Sequence, residues 1–320
     1  MTVQLPYDVV GEVINHLSND KRSLRACSLI CKATVPLCRR HIFSEINLRQ
    51  RVGRFADLLK RSPEIANRVR TLRLAFRDLQ AENDVVESYQ SLLKIKGLHT
   101  LELEFEHFSS RQEKLMEDLK PILFHLLSLP SISTLELNCE HHYDEGVCQS
   151  AFVYLTRIPN LKTLVLTSVS LEIPHGTEPS FTGPSLRFLD LSDFPLGKLH
   201  IVKQYMAKHI LDLSRLETLK IGGRSKDERV AVQDIIQSCV PTLQNLTCSS
   251  CGKYDLIISL DTYFDAVGHS PMSSAVGGYV RIAFPESFQP SLVLGNRLGR
   301  ETGRPLAAKT RKSPCNDCGN

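Results

Sequence analysis

Apolar residues recur in two different rhythms along this chain. Over the first fifty residues the spacing is helical. Val9, Val10, Val13, Ile14 and Leu17 fall at i, i+1, i+4, i+5 and i+8, one stripe of a helix. Leu5-Pro6 opens that helix, since proline suits the first helical position. Ser18-Asn19-Asp20 ends it, and Asp20 or Ser23 caps a second helix carrying Leu24, Cys27, Ile30 and Cys31. Thr34 with Pro36 starts a third, with Leu37, Cys38, His41 and Ile42 turned inward. Phe43–Leu48 then reads as a short strand leading out. Three helices in about 40 residues enclose little core, so the unit needs a partner or a neighbouring domain.

From Val69 the rhythm becomes apolar-x-x-Leu-x-Leu. It starts with Val69-x-x-Leu72-x-Leu74, Leu98-x-x-Leu101-x-Leu103 and Ile132-x-x-Leu135-x-Leu137. It continues with Leu161-x-x-Leu164-x-Leu166, Leu186-x-x-Leu189-x-Leu191 and Leu216-x-x-Leu219-x-Ile221, and fades at Leu243-x-x-Leu246-x-Cys248. The central leucines are 25 to 34 residues apart, 29 on average. Between these strands, Asp84–Ile95, Gln112–Leu127, Val147–Arg157, Ile201–Leu213 and Asp227–Cys239 carry helical spacing. The expected fold is α/β, with short strands and helices alternating in a curved parallel array. The period and pattern resemble a leucine-rich repeat. The ninth repeat position, where that family places Asn or Cys, holds Arg77, Glu106, Glu140, Val169, Phe194, Arg224 and Cys251, so the repeats are irregular. Val169–Pro184, with three prolines and two glycines, is the longest expected loop.

The N-terminal string also carries a resemblance. Leu5-Pro6-x-Asp8-Val9-Val10-x-Glu12-Val13-Ile14-x-His16-Leu17, then Leu24-x-Ala26-Cys27-Ser28-Leu29-Ile30-Cys31-Lys32, then His41-Ile42-Phe43, resembles the F-box motif, most closely that of mushroom-type fungal proteins. Where that family commonly has a tryptophan shortly after the cysteine, this chain has Lys32-Ala33-Thr34. The resemblance implies docking on a Skp-type adaptor through Leu5, Pro6, Val9, Ile14, Leu17, Leu24, Leu29 and Ile30. It also implies a link through that adaptor to a cullin ubiquitin ligase core.

Composition changes this picture little. Hydrophobic residues are 42% and charged residues 23%, and tryptophan is absent. Apolar runs such as Leu256–Leu260 fall far short of the roughly 20 residues of a membrane span. The net charge of +4 resides in the residues from Arg281 onward, where seven bases face three acids. Arg304–Lys312 reads as a nuclear signal or as a solvated tail. From Ala266 the glycines and prolines show no repeat rhythm, so an irregular or disordered tail is expected.

Candidate chemistry is sparse. Cys248-x-x-Cys251 with Cys315-x-x-Cys318 offers four thiolates to zinc, but 64 residues separate the pairs. Cys139 with His141 and His142 is a second weak set. No phosphate-binding glycine loop, zinc-protease motif or hydrolase elbow occurs. No metal, cofactor or catalytic residue is expected.

The expected organisation is a short three-helix F-box at residues 1–48, an irregular leucine-rich-repeat-like solenoid at 49–264 and a poorly ordered tail at 265–320. The expected function is a non-catalytic substrate receptor of a Skp–cullin–F-box ubiquitin ligase, its repeats recruiting a protein substrate. The rival is a leucine-rich-repeat scaffold outside any ligase. No signal peptide is visible, which suggests a cytoplasmic or nuclear location without membrane or nucleic-acid partners. On each strand the residues beside the inward leucines line the expected recognition face. Arg73, Glu102, Glu104, Glu136, Asp190 and Lys220 are its candidate contacts, with an acidic middle suited to a basic or polar segment.

Overall fold

The computed structural model describes residues 6–49, 51–76, 83–105, 110–139, 155, 158–169, 183–194, 198–222, 229–239, 241–249, 272–276 and 279–283. Helix α1 (Tyr7–His16) follows Pro6, which takes the N-cap place one residue earlier than expected. Helix α2 (Lys21–Ser28) is capped by Asp20, whose carboxylate accepts the Ser23 hydroxyl at 2.5 Å and the N–H groups of Arg22 and Ser23 at 3.0 and 3.1 Å. These bonds, led by the Ser23 hydroxyl, hold the Asp20 carboxyl below its ordinary range. Helix α3 (Val35–Ile42) has Pro36 in its first turn.

One side chain from each helix, Ile14, Leu24 and Cys38, meets in a small core separate from the main one. Thr34 is buried between α2 and α3. Its hydroxyl lies 2.8 Å from the carbonyl oxygens of both Cys27 and Cys31, tying the end of one helix to the start of the next. The short strand expected at Phe43–Leu48 is β1 (Glu45–Asn47).

The repeats build one sheet. After β1 come β2 (Thr71–Phe76), β3 (Thr100–Phe105), β4 (Thr134–Cys139), β5 (Thr163–Thr167), β6 (Phe188–Leu191), β7 (Thr218–Gly222) and β8 (Asn245–Ser249), paired in parallel in chain order. Leu72, Leu101, Leu135, Leu164, Leu189, Leu219 and Leu246 are cross-strand neighbours in an unbroken row, none more than 1% exposed. A second row joins Leu74, Leu103, Leu137 and Leu166. Alternation puts these leucines on one face. Burying each contributes about 1.5–3 kcal/mol in transfer terms.

The strand entries share a backbone device. The carbonyls of Ser44, Arg70, His99, Ser133, Lys162, Arg187 and Glu217 each accept two successive N–H groups from the next repeat, at 2.7–3.1 Å. This main-chain ladder needs no particular side chain, which fits a chain lacking the regular Asn of the consensus.

Helices α4 (Val52–Arg61), α5 (Asn83–Gln90), α6 (Ser110–Leu127), α7 (Leu199–Ala207) and α8 (Arg229–Cys239) run between the strands. Phe55, Leu59, Tyr89, Leu119, Val202 and Ile235 from these helices share one core with the leucine rows. The N-terminal helices join this body through polar contacts. The Lys21 ammonium donates to the Glu45 carbonyl at 3.3 Å, Arg39 pairs with Glu64 at 3.4 Å, and Arg68 donates to the Pro36 carbonyl at 3.0 Å.

One expectation is corrected. Part of the region read as irregular tail forms β9 (Met272–Val276) and β10 (Tyr279–Ala283), antiparallel to each other. β10 also pairs antiparallel with β8 from Tyr279↔Ser249 to Ala283↔Asn245, so the sheet continues past the last repeat. Most of the expected helix Val147–Arg157, most of the loop Val169–Pro184 and all of Asp255–Phe264 lie outside the described residues.

Candidate partner-binding surfaces

Two surfaces stand out, one on the N-terminal helices and one on the polar face of the sheet. On the first, Val10 and Ile14 of α1, with Leu17 just after it, turn toward the small core. Val9 and Val13 sit one residue earlier on the helix, turned about 100° away. They are 44% and 53% exposed, and Tyr7 is 56% exposed. The turn after α2 displays Leu29 and Ile30, at 86% and 74% the most exposed large apolar side chains among the described residues. Exposed apolar groups so concentrated in one unit are an interaction signature.

The expected docking set therefore divides. Pro6, Val9, Leu29 and Ile30 lie on the surface, and Leu17 is half-buried. Ile14 and Leu24 are corrected: at 2% and 0% exposure they are the unit's own core and present no docking surface. Leu5 lies outside the described residues. Tyr7 and Val13 stand outside the expected docking set, although Val13 belongs to the apolar stripe and to the F-box-like string. The missed signal is that a helix in a three-helix unit buries a narrow stripe, so not every aliphatic of α1 fits inside.

On the sheet, Arg73, Glu102, Glu136 and Val165 lie side by side across β2 to β5, and Asp190 stands opposite Lys220 on β6 and β7. The acidic middle expected here is largely neutralised. The Arg73 guanidinium lies 2.6 Å from the Glu102 carboxylate and 3.7 Å from that of Glu45. Arg49 pairs with Glu104 at 3.4 Å. Lys220 pairs with Asp190 at 3.0 Å and sits over the Phe188 ring, 5.1 Å from its centre. The Asp190 carboxylate also accepts the Ser192 hydroxyl at 2.6 Å.

The carboxylates of Glu102, Glu104 and Asp190 are sunk, with side chains 16–18% exposed, while their cationic partners are 41–56% exposed. A partner therefore meets the cations first. Glu136 has no ion pair among the described residues. Burial and the nearby Glu136 push the Glu102 carboxyl up, with Arg73 opposing. A shallow cavity of about 170 Å³ opens between Arg49, Arg73, Glu102, Glu104 and Glu136, large enough for one side chain of a partner.

Among the described residues, no cluster of three or more His, Cys, Asp or Glu side chains is arranged to hold a metal ion. Cys251, Cys315, Cys318, His141 and His142 lie outside the described residues. Cys139 is buried at the end of β4. Among the described residues, no helix is long and apolar enough to cross a membrane. No family model matches the chain, and comparison with curated proteins finds no match.

Proposed function

We propose that this chain is the substrate receptor of a Skp–cullin–F-box ubiquitin ligase. The N-terminal helices are the F-box, and the strand–helix units are an irregular leucine-rich-repeat array. The supporting observation is the exposed apolar surface of the helical unit, Tyr7, Val9 and Val13 on α1 with Leu29 and Ile30 after α2. Side chains so placed cost solvation in the free chain and are covered when an adaptor docks. The mixed-charge sheet face, with Arg49, Arg73 and Lys220 outermost, is the surface offered to a protein substrate. The chain itself carries out no reaction. It raises the effective concentration of the bound substrate beside the ubiquitin-carrying enzyme.

The test is co-purification of the full chain with a Skp-type adaptor, repeated with Leu29→Asp and Ile30→Asp together. These side chains are solvent-exposed, so the double variant keeps its fold by circular dichroism. The expected result is a stable complex with the intact chain and loss of at least tenfold in affinity for the variant. Absence of a complex with the intact chain would leave the repeat scaffold acting outside any ligase.

A further inference from the structure

Charge is spread unevenly over the N-terminal part of the chain. Residues 20–70 hold thirteen lysines and arginines against four aspartates and glutamates, a surplus of nine where the whole chain carries +4. Residues 1–19 hold Asp8 and Glu12 and no lysine or arginine. Among the described residues, Lys21 pairs with Glu45, Arg39 with Glu64, Arg49 with Glu104 and Lys60 with Glu87. Arg22, Arg25 and Lys32 are exposed and have no ion pair among the described residues. The carboxylate nearest to them in sequence, Asp20, is engaged by the Ser23 hydroxyl and by two backbone N–H groups.

These three cations flank the exposed apolar pair. Arg22, Arg25 and Leu29 fall at i, i+3 and i+7, and Leu29 keeps helical backbone angles, φ −91° and ψ −12°, as the C-cap of α2. They therefore share one face of the helix, while Leu24 enters the small core from the other side. Ile30 and Lys32 follow within the next turn of chain. An apolar centre with unpaired cations at its rim fits a partner of matching build. Leu29 and Ile30 need aliphatic surface to leave water, and the cations beside them need carboxylates. A nucleic-acid backbone supplies the anions without the aliphatic surface.

We propose that the protein docking on Leu29 and Ile30 presents an acidic rim around its apolar site, and that Arg22, Arg25 and Lys32 steer and orient it. This rests on the reading of the N-terminal helices as the adaptor-docking unit, so the partner is a Skp-type adaptor with a surplus of carboxylates at its docking surface. The apolar contact supplies the holding energy. The cations act earlier, on encounter, where complementary charge raises the association rate and fixes orientation. Attraction between exposed charges is screened by salt, whereas burial of Leu29 and Ile30 is not weakened by it. The two contributions therefore separate in the kinetics.

The test follows association of the full chain with a Skp-type adaptor by surface plasmon resonance, from about 0.02 M to about 0.5 M NaCl. The association rate is expected to fall at least about tenfold across that range, with the dissociation rate changing by less than about twofold. Arg22→Gln, Arg25→Gln and Lys32→Gln together should give the slow rate already at low salt and flatten the salt dependence. Thermal melting checks the fold of this variant, and the salt series on the unaltered chain needs no variant. A complex whose association rate ignores salt overturns the proposal and leaves the ligase reading standing. So does a salt dependence that the triple variant keeps in full, which places the attraction on other residues. Absence of any complex with the intact chain overturns both readings. Fluorescein-labelled oligothymidine bound as tightly as the adaptor, and released by the triple substitution, would assign these cations to phosphates and overturn the acidic protein partner.

Discussion

Glu102 and Glu136 stand directly opposite each other on β3 and β4, like charges in adjacent register with Arg73 reaching only the first. Burial and this neighbour hold the Glu102 carboxyl above its ordinary range. A carboxyl raised on folding binds its proton more tightly in the folded chain. Folding is thus unaffected below the ordinary glutamate range and loses stability as pH rises through the raised value. Glu136→Gln removes one of the causes, leaving burial and the weaker repulsion from Glu45. The Glu102 carboxyl should titrate closer to its ordinary value, followed by carbon NMR of the side chain. Above the glutamate range the variant should be more stable by about 0.5 kcal/mol, the scale of a cross-strand charge pair, with no difference in acid. An unmoved Glu102 titration would show that Glu136 plays no part in raising it.

The Thr34 hydroxyl carries a second prediction. It is the buried group that joins α2 to α3. Thr34→Val preserves the shape and removes the hydrogen bonds. The variant should lose about 1 kcal/mol of stability, read by urea denaturation. Its Cys31 pKa should move back up toward the ordinary thiol value, read from the pH dependence of iodoacetamide alkylation. Stability loss with an unchanged thiol profile would confine Thr34 to a packing role.

Tyr89 is 1% exposed and stacks on Phe76 with ring centres 5.9 Å apart, while Phe76 stacks on Phe105 at 5.2 Å. Its hydroxyl is buried and has no hydrogen-bond partner among the described residues. Burial pushes its pKa up, so the group stays neutral at any ordinary pH. Leaving such a hydroxyl unpaired costs about 1 kcal/mol or more. Tyr89→Phe keeps the stack and removes the cost, so the melting temperature should rise by about 2–4 °C. A fall instead would reveal a partner for the hydroxyl.

Several of these features were legible in the sequence, for reasons particular residues make plain. Leu72 through Leu246 announce the parallel sheet because strand alternation is local and the spacing repeats. Asp20 announces the second helix because its cap bonds reach only two and three residues ahead. The charge pairing was illegible, because Arg49 lies outside every repeat and yet meets Glu104 on β3. The split between Ile14 inside and Val13 outside was also hidden, since hydrophobicity does not state how wide the core is. The hairpin β9–β10 did leave a sign. Gly277-Gly278 between two short runs is a two-residue hairpin signal, set among other glycines and prolines that carry no repeat rhythm.

That hairpin carries the last prediction. A tail without structure is dispensable, whereas β10 pairs with five residues of β8 and covers its edge. Without it, the main-chain groups of β8 on that side have no strand partner and become a template for other chains. Truncation after Phe264 should therefore lower the melting temperature by several degrees, at about 2–4 °C for each kcal/mol lost. It should also promote self-association, visible by light scattering as the concentration rises. Truncation after Ala283 keeps both strands and should leave melting and association as they are in the full chain. If both truncations melt alike, the pairing of β10 with β8 contributes no stability, and the last repeat ends the cooperative unit.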